Sequence, residues 1–165
     1  MYEKSVELLN KAVADELSAV HQYMYFHFHC DDQGYDLLAG LFKKQAIDEM
    51  LHIEMIAERI LFLKGEVELA ASAKVDKIHD VRKMLERAVE MEQDAIKDYN
   101  VWANESASNA DSVTKKLFED LVLDEEGHYD KFDTEFDNLN KFGDNYLALQ
   151  SIERSKSVAS GTEQE

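Results

Sequence analysis

Proline is absent from this 165-residue sequence, cysteine and tryptophan occur once each, and glycine only six times. With so few residues that punctuate turns and strand edges, and with abundant Leu, Ala, Glu, Lys and Met, the chain favours long helices over strands. The lone Cys30 cannot close an internal disulfide, so nothing points to an oxidising compartment. No apolar run approaches the roughly 18 residues that a membrane span needs. The N-terminal stretch starts with charged and polar residues and has no apolar signal-peptide core, so the predicted location is cytoplasmic. Basic residues are also scarce: 18 Lys and Arg stand against 35 Asp and Glu, a net charge of −17. That balance excludes nucleic acid and anionic membranes as partners, because phosphate binding needs a basic surface. An acidic surface attracts cations, although it serves solubility equally well.

What is present is helical periodicity in a chain long enough to bury one core. Leu8, Leu9, Ala12, Leu17, Val20 and Tyr23 recur at helical spacing over about 5–30. A break at Asp31–Gly34 leads to a second helix over about 36–64, with Leu37, Leu41, Ile47, Leu51, Ile56, Ile60 and Leu63 on one broad apolar side and Gly65 as its stop. A connection over 65–76 precedes a third helix, 77–105, that aligns Val81, Leu85, Ala88, Glu92, Ala95 and Tyr99. After a turn at 106–111, a fourth helix runs over 111–142, capped by Asp111 or Ser112. A short fifth helix is expected over 145–154. The expected division is a single domain over 1–154 and a polar, mobile tail over 155–165.

Two Glu-x-x-His steps carry the chemistry: Glu49 with His52, and Glu125 with His128. Positions i and i+3 share a helix face, so each step presents a carboxylate and an imidazole in one direction. A single glutamate precedes each step by 33 residues, Glu16 and Glu92, and the two sets are offset by 76. Two Glu-x-x-His pairs with two single glutamates make the ligand set of a dinuclear carboxylate site inside a four-helix bundle. Glu49 and Glu125 would bridge two ions, and Glu16, Glu92, His52 and His128 would each hold one. Such donors suit Fe(II), with Mn(II) and Zn(II) as competitors.

Helix geometry supports the grouping. In antiparallel pairs, Glu16 and Glu49 lie 14 and 13 residues from their turn, and Glu92 and Glu125 lie 13 and 14 from theirs. At about 1.5 Å per residue, all four sit roughly 20 Å from a turn, at one level of the bundle. The connection over 65–76 can span about 40 Å when extended, enough for one long crossover that leaves the second and third helices parallel. The repeat extends to Ala19/Ala95, Val20/Ile96, Tyr23/Tyr99 and Asp48-Glu49/Asp124-Glu125. Four glutamates on core-facing stripes are costly unless paired or metal-bound. The plain alternative is a bundle whose buried glutamates form ion pairs. Tyr23 and Tyr99 each lie two turns beyond Glu16 and Glu92, where either could bond a ligand or supply an electron. Tyr23 is carried as a site candidate and Tyr99 as a core tyrosine.

The stretches DELSAVHQY around Glu16, IDEMLHIEMIAERILFLKG from Ile47 and LVLDEEGHYDKFDTEFDNL from Leu121, with NYLALQSIE near the end, resemble the bacterioferritins over roughly 5–152. The resemblance implies an all-α, ferritin-like four-helix bundle with one long crossover and a short fifth C-terminal helix. It implies a di-iron ferroxidase centre held by Glu16, Glu49, His52, Glu92, Glu125 and His128. The implied activity is oxidation of Fe(II) by dioxygen or hydrogen peroxide, with ferric mineral stored in a homo-oligomeric cage. Met50 takes the position of the haem ligand at the family's two-fold interface, which implies haem b there, with interface packing by a flexible thioether as the alternative.

Some positions depart from the family pattern. Phe28, His29 and Gln33 stand where an Arg-Met pair and a Trp are usual, which weakens the implication of haem. Asp48 matches the aspartate of an accessory inner iron site, but Lys44 replaces its histidine, so iron is expected to pass through the dinuclear centre itself. The Dps-like branch, smaller peroxide-consuming cages, fits as well, and 24 and 12 subunits stay equally open. A di-metal peroxidase without storage is a further alternative, but one cysteine excludes a rubrerythrin-type four-cysteine module. His21, His27 and His29 cluster near the end of the first helix as a minor metal site or a solvated helix end. Cys30 is expected to be a buried hydrophobe, and His79 structural or exposed.

Overall fold

The computed structural model describes residues 2–161, and five helices account for most of them: α1 Glu3–Asp32, α2 Asp36–Phe62, α3 Val81–Ser108, α4 Ser112–Phe142 and α5 Asp144–Ser160. No strand occurs among the described residues. Helix α3 starts four residues later than its periodicity suggests because Asp80 caps it, its carboxylate accepting from Lys83 N at 3.0 Å. Asp111 does the same for α4, accepting from Thr114 N at 3.1 Å, so the cap is Asp111 and not Ser112. Helix α5 continues through Ser160, into the stretch expected to be a polar tail. The last part of that tail, 162–165, lies outside the described residues.

The turn between α1 and α2 uses Gly34 in the left-handed conformation, with Tyr35 N bonding back to Cys30 O at 2.9 Å. Its counterpart in the second half is Ala110 (φ 57), and Lys64 (φ 63) follows the C-cap of α2, so two of these left-handed positions carry a Cβ. Gly65 stops α2 for a different reason from the one its position suggests. It is not the left-handed residue; a Cβ there would lie 2.6 Å from Val6 Cγ1, so glycine lets the crossover lie against α1.

Helices α1 and α2 form one hairpin and α3 and α4 the other, and the hairpins pack with α1 against α3 and α2 against α4. Tyr23 reaches Glu92 while Tyr99 reaches Glu16, so α1 and α3 are antiparallel and α2 and α3 run parallel. The long crossover, residues 63–80, makes this possible. A rail of side chains on one face of α1, spaced by eight and four residues, pins it: Asn10 pairs with Glu66 O and Glu68 N, Ser18 with Ser72 and Ala73, and Gln22 with both backbone groups of Asp76.

The core falls into two clusters along the bundle, one around Tyr23, Phe26, Phe42 and Phe132, the other around Leu9, Ile56, Tyr99 and Phe118. Each fully buried Phe contributes about 1.5–3 kcal/mol by its removal from water. On α2 the buried line is Leu38, Phe42, Gln45, Glu49, His52, Ile56 and Ile60. This corrects the apolar side read from periodicity: Leu37, Ile47 and Leu51 are exposed on the outer face, beside Met50 and Met55. The helix has two apolar stripes, and the one that carries Gln45, Glu49 and His52 is the one turned inward.

Candidate metal centre

Between the two core clusters, each of the four long helices turns polar for one or two positions. Helices α1 and α3 bring Glu16 and Glu92, and α2 and α4 bring the Glu49/His52 and Glu125/His128 steps, all buried. Their donor atoms fall into two groups, Glu16–Glu49–His52–Glu125 and Glu49–Glu92–Glu125–His128, with the atoms of each group within 4.8 Å of one another. Glu49 and Glu125 belong to both.

The shared glutamates divide their oxygens between the halves. Glu49 Oε2 lies 2.9 Å from His52 Nδ1, and its Oε1 lies 3.0 Å from His128 Nδ1. Glu125 Oε1 lies 3.0 Å from His52 Nδ1, and its Oε2 lies 2.8 Å from His128 Nδ1. Glu16 approaches His52 at 3.3 Å and Glu92 approaches His128 at 3.8 Å. The two imidazoles stack at 5.5 Å.

Three carboxylates surround His52 Nδ1, yet none is aligned to accept an N–H from it, and Glu49 Oε1, Glu49 Oε2 and Glu125 Oε1 also have no hydrogen-bond partner. An orphaned buried polar atom costs about 1–3 kcal/mol, and here the orphans all point at the same two spaces. Nitrogen and carboxylate donors that converge with four of their atoms left without partners fit a pair of divalent cations.

Charge in the site follows the same division. Burial, then the charges of Glu49 and Glu125, push the Glu16 and Glu92 carboxyls well above the usual range. Burial also opposes ionisation of Glu125, but His128 and His52 beside it hold its carboxyl below the usual range. Burial lowers both imidazoles, yet the carboxylates around them prevail: His52 is raised strongly, and His128 is raised to about 9 by Glu125 and Glu49. The protein without metal therefore stores protons on Glu16 and Glu92 and on the two imidazoles.

Groups behind the ligands repeat with the same symmetry. Tyr23 Oη donates to Glu92 and Tyr99 Oη to Glu16, and burial raises both phenols. Asp124 Oδ2 lies 3.4 Å from His52 Nε2, and Asp48 Oδ2 lies 3.9 Å from His128 Nε2, so each imidazole is backed by an aspartate from the opposite hairpin. Such partners fix a ligating ring's orientation. A cavity of about 250 Å³ between α1 and α3 reaches the four glutamates, with Asp15, Asp94 and Asp98 at its outer end and Ser72 and Ala73 of the crossover beside it.

The sequence reading brought the six ligand candidates and Tyr23 together. It left Tyr99 as core and did not single out Asp124, although the offset of 76 pairs Tyr99 with Tyr23 and Asp124 with Asp48. The minor cluster of His21, His27 and His29 does not converge. His27 Nδ1 lies 2.8 Å from Ala39 O, and His29 stacks on His79 at 4.2 Å. Met50 is 51% exposed, and Cys30 is buried against Met84.

An all-helical bundle with a long crossover and a buried carboxylate–histidine cluster at mid-height defines the ferritin-like proteins, and the chain matches the ferritin-like domain over residues 6–142. It is 38% identical to the bacterioferritin of Desulfovibrio desulfuricans over 145 residues, 88% of this chain and 81% of that one. It is 35% identical to the bacterioferritin of Brucella melitensis over 141 residues, 86% and 88% of the two chains. Superposition on the crystal structure of the D. desulfuricans protein, described for the catalytic states of its di-iron site, gives a TM-score of 0.88 at 37% identity over 90% of this chain and 86% of that one. The chain belongs to the bacterioferritin family.

Proposed function

We propose that this protein is a ferroxidase and iron-storage protein in which Glu16, Glu49, His52, Glu92, Glu125 and His128 hold two iron ions. The observation that carries the reading is the sharing of Glu49 and Glu125 between two four-residue groups, with four of the donor atoms orphaned. When bound, the iron pair supplies electrons to an oxidant, dioxygen or hydrogen peroxide. Glu16 and Glu92 give up their protons on loading, so uptake of Fe(II) releases protons and tightens as pH rises. Asp124 and Asp48 keep the imidazoles in register, and the aromatic clusters above and below keep bulk water out. The cavity between α1 and α3, acidic at its outer end, supports direct passage of Fe(II) to the centre.

The uncovered apolar stripe of α2 supports assembly of this chain with its own copies into a cage, of 24 or 12 subunits. Outward-facing Met50, among exposed Ile47, Leu51 and Met55, supports a haem b ligated by its thioether at a two-fold contact. Loss of haem uptake in Met50→Leu with the cage intact tests that assignment. Residues 2–161 act as one unit in this reading, and no helix among them is long and apolar enough to cross a membrane. Cytoplasmic storage is the role proposed.

An anaerobic Fe(II) titration followed by oxidant tests the function, with Glu125→Ala alongside. About two irons per chain, rapid oxidation and continued turnover into soluble mineral are expected, and the variant loses all three. Uptake and oxidation without mineral would replace storage with a peroxidase role. No saturable binding would sink the site.

A further inference from the structure

The end of α1, the start of α2 and the fifth helix line a groove of about 710 Å³ that the metal centre does not use. Small-molecule sites fall in the same range, about 300–1,000 Å³, and combine apolar walls with a few placed polar groups. Here the apolar walls are Leu37, Leu149 and Val158, all exposed. Gly40 also lines the groove, inside the helical run of α2, where glycine is the poorest residue after proline. A Cβ at Gly40 would meet no atom within 4 Å, so the fold itself does not ask for glycine there. The missing side chain leaves open backbone for something in the groove to lie against. The polar end is the first turn of α2. Tyr35 precedes the helix without a side-chain cap bond, and Gln150 of α5 supplies one instead, its Oε1 accepting from Leu38 N at 3.3 Å. Gln150 is 7% exposed, and its Nε2 has no partner. An orphaned donor of this kind is rare inside a protein and calls for an acceptor.

We propose that this groove binds a linear alkyl carboxylate, its head at Gln150 Nε2 and the first turn of α2, its chain along Gly40 between Leu37, Leu149 and Val158. The charged side chains around the groove are already committed to one another. Arg154 holds Asp31 at 3.5 Å and Asp36 at 3.4 Å, and Lys156 holds Glu153 at 3.0 Å. His27 places Nδ1 2.8 Å from Ala39 O. The groups left over at the polar end are the Gln150 amide and the first N–H groups of α2, which donate and lie at the positive end of a helix dipole. Such a set disfavours a cation and suits an acceptor carrying one negative charge. The apolar face of another copy of the chain would cover the leucines but leave the amide orphaned. The net charge of −17 repels anions at long range. At physiological salt that repulsion is screened beyond about 8 Å, so the groups within the groove decide. Because the head joins Gln150 to the start of α2, the bound carboxylate ties the fifth helix to the bundle.

The test is equilibrium dialysis of octanoate, with octan-1-ol as its uncharged counterpart, against the metal-free full-length protein in its assembled form at about 0.15 M salt. Octanoate should bind saturably, one per chain, and about tenfold more tightly than octan-1-ol. Gly40→Leu fills the groove and keeps the helix, leucine being the better helix former, and should remove binding of both compounds. Gln150→Leu should bind the two alike. Where Gln150→Leu loosens α5, Gly40→Leu decides alone, its fold checked by an unchanged thermal midpoint. Hydrogen exchange gives an independent reading: octanoate should protect α5, Asp144–Ser160, and leave α3, Val81–Ser108, unchanged. Absence of saturable binding in wild type, equal affinity for octanoate and octan-1-ol, or undiminished binding in Gly40→Leu each overturns the proposal. Binding that appears only after the assembly is dissociated overturns it too, and makes the groove a contact between copies of the chain.

Discussion

Removing a shared glutamate and removing an unshared one should have unequal consequences, and the difference can be worked from the geometry. Glu16 belongs to one of the two donor groups, and Glu49 belongs to both. Glu16→Ala leaves Glu49, Glu92, Glu125 and His128 as a complete four-residue group, so it should still bind one divalent ion per chain. Glu49→Ala strips both groups and should bind none with comparable affinity. An ion present at about 100 times its dissociation constant stabilises the folded state by about 2.7 kcal/mol, so two independent ions give about 5 kcal/mol. For a chain of this length, each kcal/mol raises the thermal midpoint by about 2–4 °C. Wild type should therefore gain roughly 10–20 °C on loading, Glu16→Ala about half of that, and Glu49→Ala little. Anaerobic calorimetric titration with Mn(II) or Zn(II), which avoid turnover, gives the stoichiometry, and scanning calorimetry gives the shift. Comparing each variant with and without metal removes the direct effect of the substitution. Equal losses in the two variants would refute the shared-ligand geometry, as would two ions bound by Glu49→Ala.

Other consequences concern the scaffold. Ala110→Gly and Lys64→Gly relieve left-handed backbone at two helix ends, and each should stabilise the fold by about 1 kcal/mol, read from urea unfolding midpoints. Gly65→Ala should destabilise by about 1–3 kcal/mol through collision with Val6, and a neutral result would show that the crossover yields there. Asp111 is buried, caps α4 and pairs with Arg59 at 2.7 Å; Asp111→Ala should cost about 3–5 kcal/mol, and a loss below about 1 would mean that Arg59 reaches water unaided. Burial pushes the Cys30 thiol up to about 12, so at pH 8 its alkylation in native protein should be about 10³-fold slower than in urea, measured with iodoacetamide. Because the unfolded thiol ionises first, this residue's contribution to stability is complete below its unfolded pKa and falls as pH rises above it.

Much of the centre was legible in the order of residues. A helix fixes the angle and height of each position, so equal gaps from Glu16 to Glu49 and from Glu92 to Glu125 were enough to put four carboxylates at one level. The Glu-x-x-His steps then supplied imidazoles on the same faces. The break at Gly34, the cap at Asp111 and the long connection between hairpins are also local matters, set by backbone preference and chain length.

The tertiary structure decided what depends on neighbours. Periodicity showed α2 to be apolar on a broad side, but only packing against α1 and α4 selected the Gln45–Glu49–His52 line for burial and left Leu37, Ile47 and Leu51 outside. Crossover residues 77–80 read as helix until Asp80 was seen to cap α3, because a cap is a choice between competing hydrogen bonds. Tyr99 and Asp124 gained their contacts from hairpins that cross with α1 antiparallel to α3, which brings one half's phenol and aspartate behind Glu16 and His52 of the other half. Spacing along a chain determines which side chains share a face. Which face meets which, and what stands behind each ligand, is settled only when the helices pack.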